Sequence, residues 1–276
     1  MLAKDWIAIL IPSYNRFEQL KTCIKNIRKN TDHTKYHIYL SDDCSTDKSL
    51  IEWLNDKIAL QLSHSCLGDE RDITVMLNSE NRGFTKNVNR AIRYIQRDIF
   101  QKTLPKYIFL LNNDANIQHP EWLEKFLKVI ETDQKVGVVA TGLAVWCPDS
   151  IYPELPNAGK KYHTELSPLA ARDKLREEQK HLTYWYEEHI GFWGCLIKTN
   201  LFEQYGLFDE RFQIICQDLD WCWRIGKYGW KIAILPEDLI YHRGHTHVDL
   251  KPEKEIKDKT EEDQRLIRKF WPEKWN

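Results

Sequence analysis

Through the first half of the chain, short apolar runs alternate with stretches whose apolar positions recur at helical spacing. WIAILI (6–11), YHIYL (36–40), ITVML (73–77), YIFLL (107–111) and VGVVATG (136–142) are nearly unbroken apolar runs, the pattern of strands covered on both faces. Between them, Phe17, Leu20, Ile24 and Ile27 share one face of a helix predicted over 17–30, and a second helix runs through SLIEWL. Val88, Ile92 and Ile95 mark a third over 87–100, and EWLEKFLKVIE forms a fourth with Pro120 near its start. Such alternation predicts an α/β fold with a mostly parallel central sheet flanked by helices.

The pattern changes after 145. Residues 148–163, rich in Pro, Asn and Gly, predict a loop, and 165–189 predicts a charged surface helix or lid. GFWGCLIK predicts a strand, NLFEQYGLFDERF a helix-turn, DLDWCWRIGKYG a helix, and KIAIL and LIYH two more strands. A domain boundary at 145–150 competes with one continuous sheet carrying a modified second half, and the continuous sheet is favoured.

Composition narrows the function. Across 276 residues the formal net charge is -1, so neither a nucleic-acid-binding surface nor an acidic tail is expected. No apolar run approaches the roughly 18 residues of a membrane span, and MLAKDWIAILIPSYN lacks the pattern of an export signal. A cytoplasmic protein is expected, at most peripheral to the inner face of a membrane. Seven cysteines without a CxxC pair suit reduced, mostly buried thiols. Eleven tryptophans, several of them late in the chain, suit a core, a sugar or a membrane interface equally well.

Candidate chemistry follows the strands. Ligands of open parallel sheets bind beyond the carboxyl ends of the strands, and four strands here end in polar clusters: PSYNR, SDDCSTD, NSENRGFTKN and NNDAN. Asp42 and Asp43 suit a base edge or a ribose hydroxyl, while Ser45, Thr46 or Asp47 suits an N-cap. In NRGF, Gly83 permits close backbone approach, with Arg82 and Lys86 nearby for phosphate charge. Asp114 suits a hard cation that keeps several waters and bridges phosphates. In CQDLDWCWR, Asp218 suits a general base while Asp220 caps or pairs with Arg224 at i+4. YHRGHTH offers His242, His245 and His247 in a spacing unlike a structural zinc site, with one of them a candidate metal ligand.

In order, these segments resemble the inverting glycosyltransferases of family 2, which have the GT-A fold. The resemblance runs from about Ile7 to Tyr241. IPSYNR is similar to the family's opening strand and loop, SDDCSTD to its DDGSTD segment and NRGFTKNVNRAI to its NxGF segment. LLNNDANIQHPEWL is similar to its metal-binding DxD region, and GFWGCLIKTNLFEQYGLFDERF and QDLDWCWRIGKYGWKI to its late motifs. The LLNND form with NRGF is most similar to the rhamnosyltransferase-like branch. The resemblance implies a GT-A domain over 1–250, with a nucleotide-binding half to about 145, an acceptor and catalytic half after it, and a helical tail over 251–276.

It also implies roles. Asp43 would hydrogen-bond the nucleotide base, with Pro12, Ser13 and Tyr14 lining the pocket and Asn15, Asp42 and Asn112 on the nucleotide side. Arg82, Gly83, Phe84, Lys86 and Asn113 would meet the donor sugar and phosphates, and Trp193, Gly194 and Gln217 the acceptor. Asp114 and His242 would hold Mn2+ or Mg2+, and Asp218 would deprotonate the acceptor. The donor would be a nucleoside-diphosphate sugar, dTDP- or UDP-linked and including dTDP-rhamnose, and the acceptor a glycan or lipid-linked glycan. Three departures stand out: one carboxylate in Asn112-Asn113-Asp114, Cys44 where the family has Gly, and Gln217 where an acid commonly precedes Asp218. Cys44 is expected to affect only packing. The alternative is a nucleotide-sugar-binding protein that kept the fold without catalysis.

Overall fold

The computed structural model describes residues 6–63, 72–97, 103–141, 177–178, 180–242 and 253–274. Strands β1 (Ile7–Ser13), β2 (Tyr36–Asp42), β3 (Ile73–Leu77) and β4 (Tyr107–Leu111) lie in parallel in the order β3-β2-β1-β4. Past a short β5 (Ala115–Ile117), the sheet continues with β6 (Val136–Thr141), β7 (Trp185–Glu187), β8 (Gly194–Lys198) and β9 (Lys231–Leu235). β8 inserts antiparallel between β4 and β6, β9 runs parallel to β6, and β7 closes the far edge antiparallel to β9. The eight strands form one sheet, so the second half extends the first.

Both faces of the sheet are covered, as the unbroken apolar runs require. On one face, Ile7, Ile9 and Ile11 pack with apolar residues of α1 (Phe17–Asn30), α2 (Lys48–Ser63) and α4 (Trp122–Thr132). Ala8 and Leu10 point the other way, toward α3 (Phe84–Ile95), α5 (Asn200–Tyr205) and α6 (Gln217–Gly226). Beyond α6 lies a third cluster, where Phe212, Cys216, Leu219 and Trp223 meet Ile267 and Trp271 at the end of α7 (Glu253–Phe270). Trp221 and Trp223 are thus core residues, and Trp271 packs edge-on against Trp223.

Several expectations change in detail. The helix expected over 87–100 begins at Phe84, because Gly83 at φ 81 turns the chain into it three residues earlier. Trp185–Glu187, placed by sequence in a surface helix, is the edge strand β7. Adjacent aromatic residues suit a pleated, half-buried surface, and pairing with β9 satisfies backbone groups that a lone helix end would leave free. The loop expected over 148–163 and most of the 165–189 segment lie outside the described residues, as do His245 and His247. Cys23, Cys195, Cys216 and Cys222 are buried free thiols, as small apolar residues would be.

Candidate active site

At one rim the carboxyl ends of β1, β2, β3 and β4 coincide, with Ser13 opposite Asp42, Asp42 opposite Leu77 and Leu111 opposite Gly194. Because β8 runs antiparallel, its beginning joins the rim where the parallel strands end. Trp193 and Gly194 therefore stand beside Asn112, whose N–H donates to the Trp193 carbonyl at 3.0 Å. A second, two-stranded sheet adds the late histidine: β5 pairs antiparallel with β10 (Ile240–His242), which sets His242 opposite Ala115.

That pairing assembles a polar cluster. His242 Nε2 lies 3.1 Å from Asp114 Oδ1 and 3.4 Å from Asn112 Nδ2, and the Trp193 ring stacks on the imidazole at 4.8 Å and 9°. Asp114 is buried, and the Asn112 side-chain oxygen is buried without a hydrogen-bond partner among the described residues. A carboxylate and an imidazole nitrogen this close fit a divalent ion, and Asn112, whose amide nitrogen faces the imidazole, carries an orphaned oxygen on the same amide as a further donor. Neighbouring donors on an octahedral ion with bonds near 2.1 Å lie about 3 Å apart, close to the Asp114–His242 separation. Asp114 is the only carboxylate in the group, and among the described residues no three His, Cys, Asp or Glu gather as a fuller cage. Such a donor set suits an ion that would take its remaining ligands from water and phosphate.

Asp42 and Asp43 organise the rim from within. Asp42 accepts from the Ser45 N–H at 2.9 Å and from its hydroxyl at 2.5 Å, closing the turn into α2. Asp43 accepts from the backbone N–H groups of Arg82 and Gly83 at 2.9 and 2.8 Å and from Asn78 Nδ2 at 2.8 Å. Its carboxylate therefore holds the Arg82–Gly83 turn in place, and three of its roughly four acceptor sites are taken. Asn78 and Asn87, not singled out from the sequence, complete a buried network that ties the end of β2 to α3. Asn15 Oδ1 accepts from the N–H groups of Thr46 and Asp47 at 2.8 and 3.0 Å, and Asp47 caps α2 through the Leu50 N–H. Pro12 and Ser13 are buried, Tyr14, Phe84 and Asn113 are partly exposed, and Arg82 and Lys86 are exposed at the mouth. Arg82 also pairs with Glu80 at 3.5 Å.

Cys44 does more than pack. Its φ is 61, in the left-handed region that glycine enters freely and other residues enter at a cost of about 1–2 kcal/mol. Replacing it by glycine removes that strain but loosens the unfolded chain. Cys44→Gly is expected to raise stability by about 0.5–1 kcal/mol, read by chemical denaturation, and a loss of stability would contradict this account of the turn.

Asp218 is the second residue of α6, entered through Cys216 at φ 73. Protein crowds the carboxylate on every side, yet solvent still reaches it. Burial pushes its pKa up from 3.8 to about 6, against the N–H groups of Leu219, Asp218 and Phe192, which favour the anion. Desolvation thus outweighs both these hydrogen bonds and the helix N-terminus. A Gln at 217 brings no like charge, so burial alone accounts for the direction. Gln217 is buried and its Oε1 has no partner among the described residues. Asp220 is occupied elsewhere: it pairs with Arg224 and accepts from Trp271 Nε1 at 2.9 Å, the i+4 pairing expected of it. Asp218 contacts the Phe192 backbone, Trp193 stacks on His242, and His242 meets Asp114. One short segment therefore joins the carboxylate to the polar cluster.

The model for glycosyl transferase family 2 matches residues 8–205. The chain belongs to this family. The N-acetylglucosaminyl-diphospho-decaprenol L-rhamnosyltransferase of Mycobacterium tuberculosis is 24% identical over 188 residues, covering 63% of this chain and 60% of that protein. Among solved structures, the mannosyltransferase PcManGT of Pyrobaculum calidifontis, in complex with GDP-Man and Mn2+, superposes with a TM-score of 0.54 at 18% identity, covering 86% of this chain and 58% of that one. S. aureus TarS in complex with UDP-GlcNAc gives a TM-score of 0.53 at 15% identity, covering 92% of this chain and 64% of that one. The architecture is that of GT-A glycosyltransferases, and the sequence is rhamnosyltransferase-like. The chain spans about three fifths of the length of these relatives. The family match ends before Asp218 and His242, so their roles rest on geometry.

Proposed function

We propose that this glycosyltransferase moves a sugar from a nucleoside-diphosphate donor to a hydroxyl of a glycan or lipid-linked glycan acceptor, with inversion. The supporting observation is the Phe192–Gly194 segment, which links a carboxylate with raised pKa to a donor set suited to a divalent ion. Asp218 takes the proton of the acceptor hydroxyl as that oxygen bonds to the anomeric carbon. The bond to the diphosphate breaks, and the diphosphate leaves with the electron pair. A single displacement of this kind inverts the anomeric centre. A base near pKa 6 is ionised at neutral pH yet still basic enough to share the proton, and such a base is worth about 10²–10⁴-fold.

Other groups position the reactants. Gln217 Oε1 accepts a hydrogen bond from the acceptor, and Arg82 and Lys86 offer positive charge to the diphosphate. Asp43 holds the Arg82–Gly83 turn against the donor, leaving one acceptor site of its carboxylate for the base. Asp114, His242 and Asn112 would hold Mn2+ or Mg2+, which when bound offsets charge on the departing diphosphate. The likeness to a rhamnosyltransferase and the LLNND form favour dTDP-rhamnose as donor and a surface polysaccharide as product. The described residues include no helix long and apolar enough to cross a membrane, which suits peripheral contact with a lipid-linked acceptor from the cytoplasmic side.

A donor screen tests this reading. With Mn2+ present, one of dTDP-rhamnose, UDP-hexoses and GDP-mannose should be slowly hydrolysed, and the matching nucleotide should raise the melting temperature. If no nucleotide stabilises the protein and no donor is hydrolysed, the proposal fails.

A further inference from the structure

Asp263 has no part in the chemistry described above, yet it is fully buried on α7. Its carboxylate accepts from three consecutive backbone N–H groups: Gln213 at 3.0 and 3.1 Å, Ile214 at 2.7 Å and Ile215 at 2.9 Å. A concave run of amides like this is an anion-binding arrangement, and here an anion from about fifty residues downstream fills it. The turn it grips leads directly into Cys216, held at φ 73, and then into Gln217 and Asp218 at the start of α6. The same helix also reaches α6 through Ile267 and Trp271 in the apolar cluster and through the Trp271 bond to Asp220.

These contacts have different consequences. The apolar cluster and Trp271 seat the body of α6, whereas Asp263 holds the backbone N–H groups of the turn that sets where its first residues point, with Glu262 bonding the Gln213 side chain and Thr85 the Phe212 carbonyl. Removing the carboxylate would leave three partly buried N–H groups to find other partners, in water or elsewhere in the turn. The turn would then relax, and the groups that move most are those just beyond it. Phe212 on one side and Leu219 and Trp223 on the other remain anchored in the cluster, so the body of the helix stays in place and the change falls on the segment between them, which carries Asp218.

We propose that Asp263 is a positioning residue for sugar transfer: by holding the Gln213–Ile215 amides it fixes the placement of Asp218 toward the acceptor. This rests on the reading of Asp218 as the base. A misplacement of about 1 Å can cost about 100-fold in rate, so even a small relaxation of the turn is measurable. Nothing in the segment around Asp263 resembles a motif, and the family match ends at residue 205, so only the fold brings this helix to the site.

The test is a double-mutant cycle on the full chain with Asp263→Asn, Asp218→Asn and the pair. Transfer kcat and nucleotide Kd are measured for each, together with amide hydrogen exchange of Ile214 and Ile215. Asp263→Asn should lower kcat by about 10–100-fold while Kd stays within about twofold, and the two amides should exchange faster. In the Asp218→Asn background the further loss should shrink to less than about twofold, since both changes act through one group. Asp263→Glu keeps the charge on a longer arm and should fall between wild type and Asn; it carries the same measurements if the Asn variant does not fold. A folded Asp263→Asn with wild-type kcat, or with an undiminished loss when Asp218 is already Asn, overturns the positioning role. If Asp218→Asn itself transfers at the wild-type rate, the assignment of the base falls, and the positioning role falls with it. If Asp218→Asn is inactive and Asp263→Asn is not impaired, only the positioning role falls.

Discussion

Asp218→Asn is expected to slow transfer by about 10²–10⁴-fold while making the protein more stable at neutral pH. The loss of rate follows from removing the proposed proton acceptor, about 10²–10⁴-fold, with nucleotide affinity unchanged because the proposed mechanism puts this carboxylate against the acceptor and not the nucleotide. The gain in stability follows from the raised pKa. A carboxyl whose folded pKa rises from 3.8 to about 6 holds its proton more tightly in the folded state. Its contribution is therefore full below about pH 4 and is lost as pH rises through 6, leaving a buried anion as a cost. That shift corresponds to about 3 kcal/mol, an upper figure because solvent reaches the group. Asn is neutral at every pH, so the variant should unfold at higher denaturant than wild type at pH 8, and the difference should vanish near pH 4. The wild-type rate should fall away below about pH 6 as the base is protonated. A variant that retains transfer, or that is no more stable at pH 8 than at pH 4 relative to wild type, would show that the carboxylate does not have this role.

Asp114→Ala is expected to remove the metal-dependent part of nucleotide binding. It is the only carboxylate among the three groups suited to an ion, so Asn112 and His242 would be left to hold it without a charged ligand. Losing outer-sphere partners alone costs about 10–100-fold in metal affinity or activity, so a direct ligand should cost at least about 100-fold. Nucleotide titrations with and without Mn2+ should differ for wild type and coincide for the variant. His242→Ala should give the same direction with a smaller loss. Should Asp114→Ala keep its full response to Mn2+, the ion is bound elsewhere.

Much of the fold can be read along the chain, for a simple reason. Strands covered on both faces must be apolar throughout, so β1 to β4 and β9 announce themselves, and α1 spans 17–30 as its periodicity indicates. The polar ends of the parallel strands could also be read, because the chain leaves each strand at the same rim. What failed locally were features decided by a partner. β7 is a strand because β9 offers an edge, and β5 exists because Ile240–His242 pairs with it. Cys44 looked like a packing change, and only its backbone angle showed why glycine is usual there.

The same division runs through the site. Sequence alone proposed which side chains could do the chemistry, since Asp114, Asp218 and the NRGF turn are recognisable by type and His242 by its order in the family resemblance. It also separated Asp218 from Asp220, because two residues along a helix cannot face the same way. Only the tertiary structure decided what each carboxylate meets. Asp43 spends most of its acceptors on the Arg82 and Gly83 amides, and Asp220 is taken by Arg224 and Trp271. Asp218 is left to a crowded pocket where burial sets its pKa. The antiparallel insertion of β8 brings Trp193 against His242, and a carboxylate from the last helix orders the turn before Asp218. Burial and hydrogen bonding arise between segments far apart in the chain, so no local pattern could have supplied them.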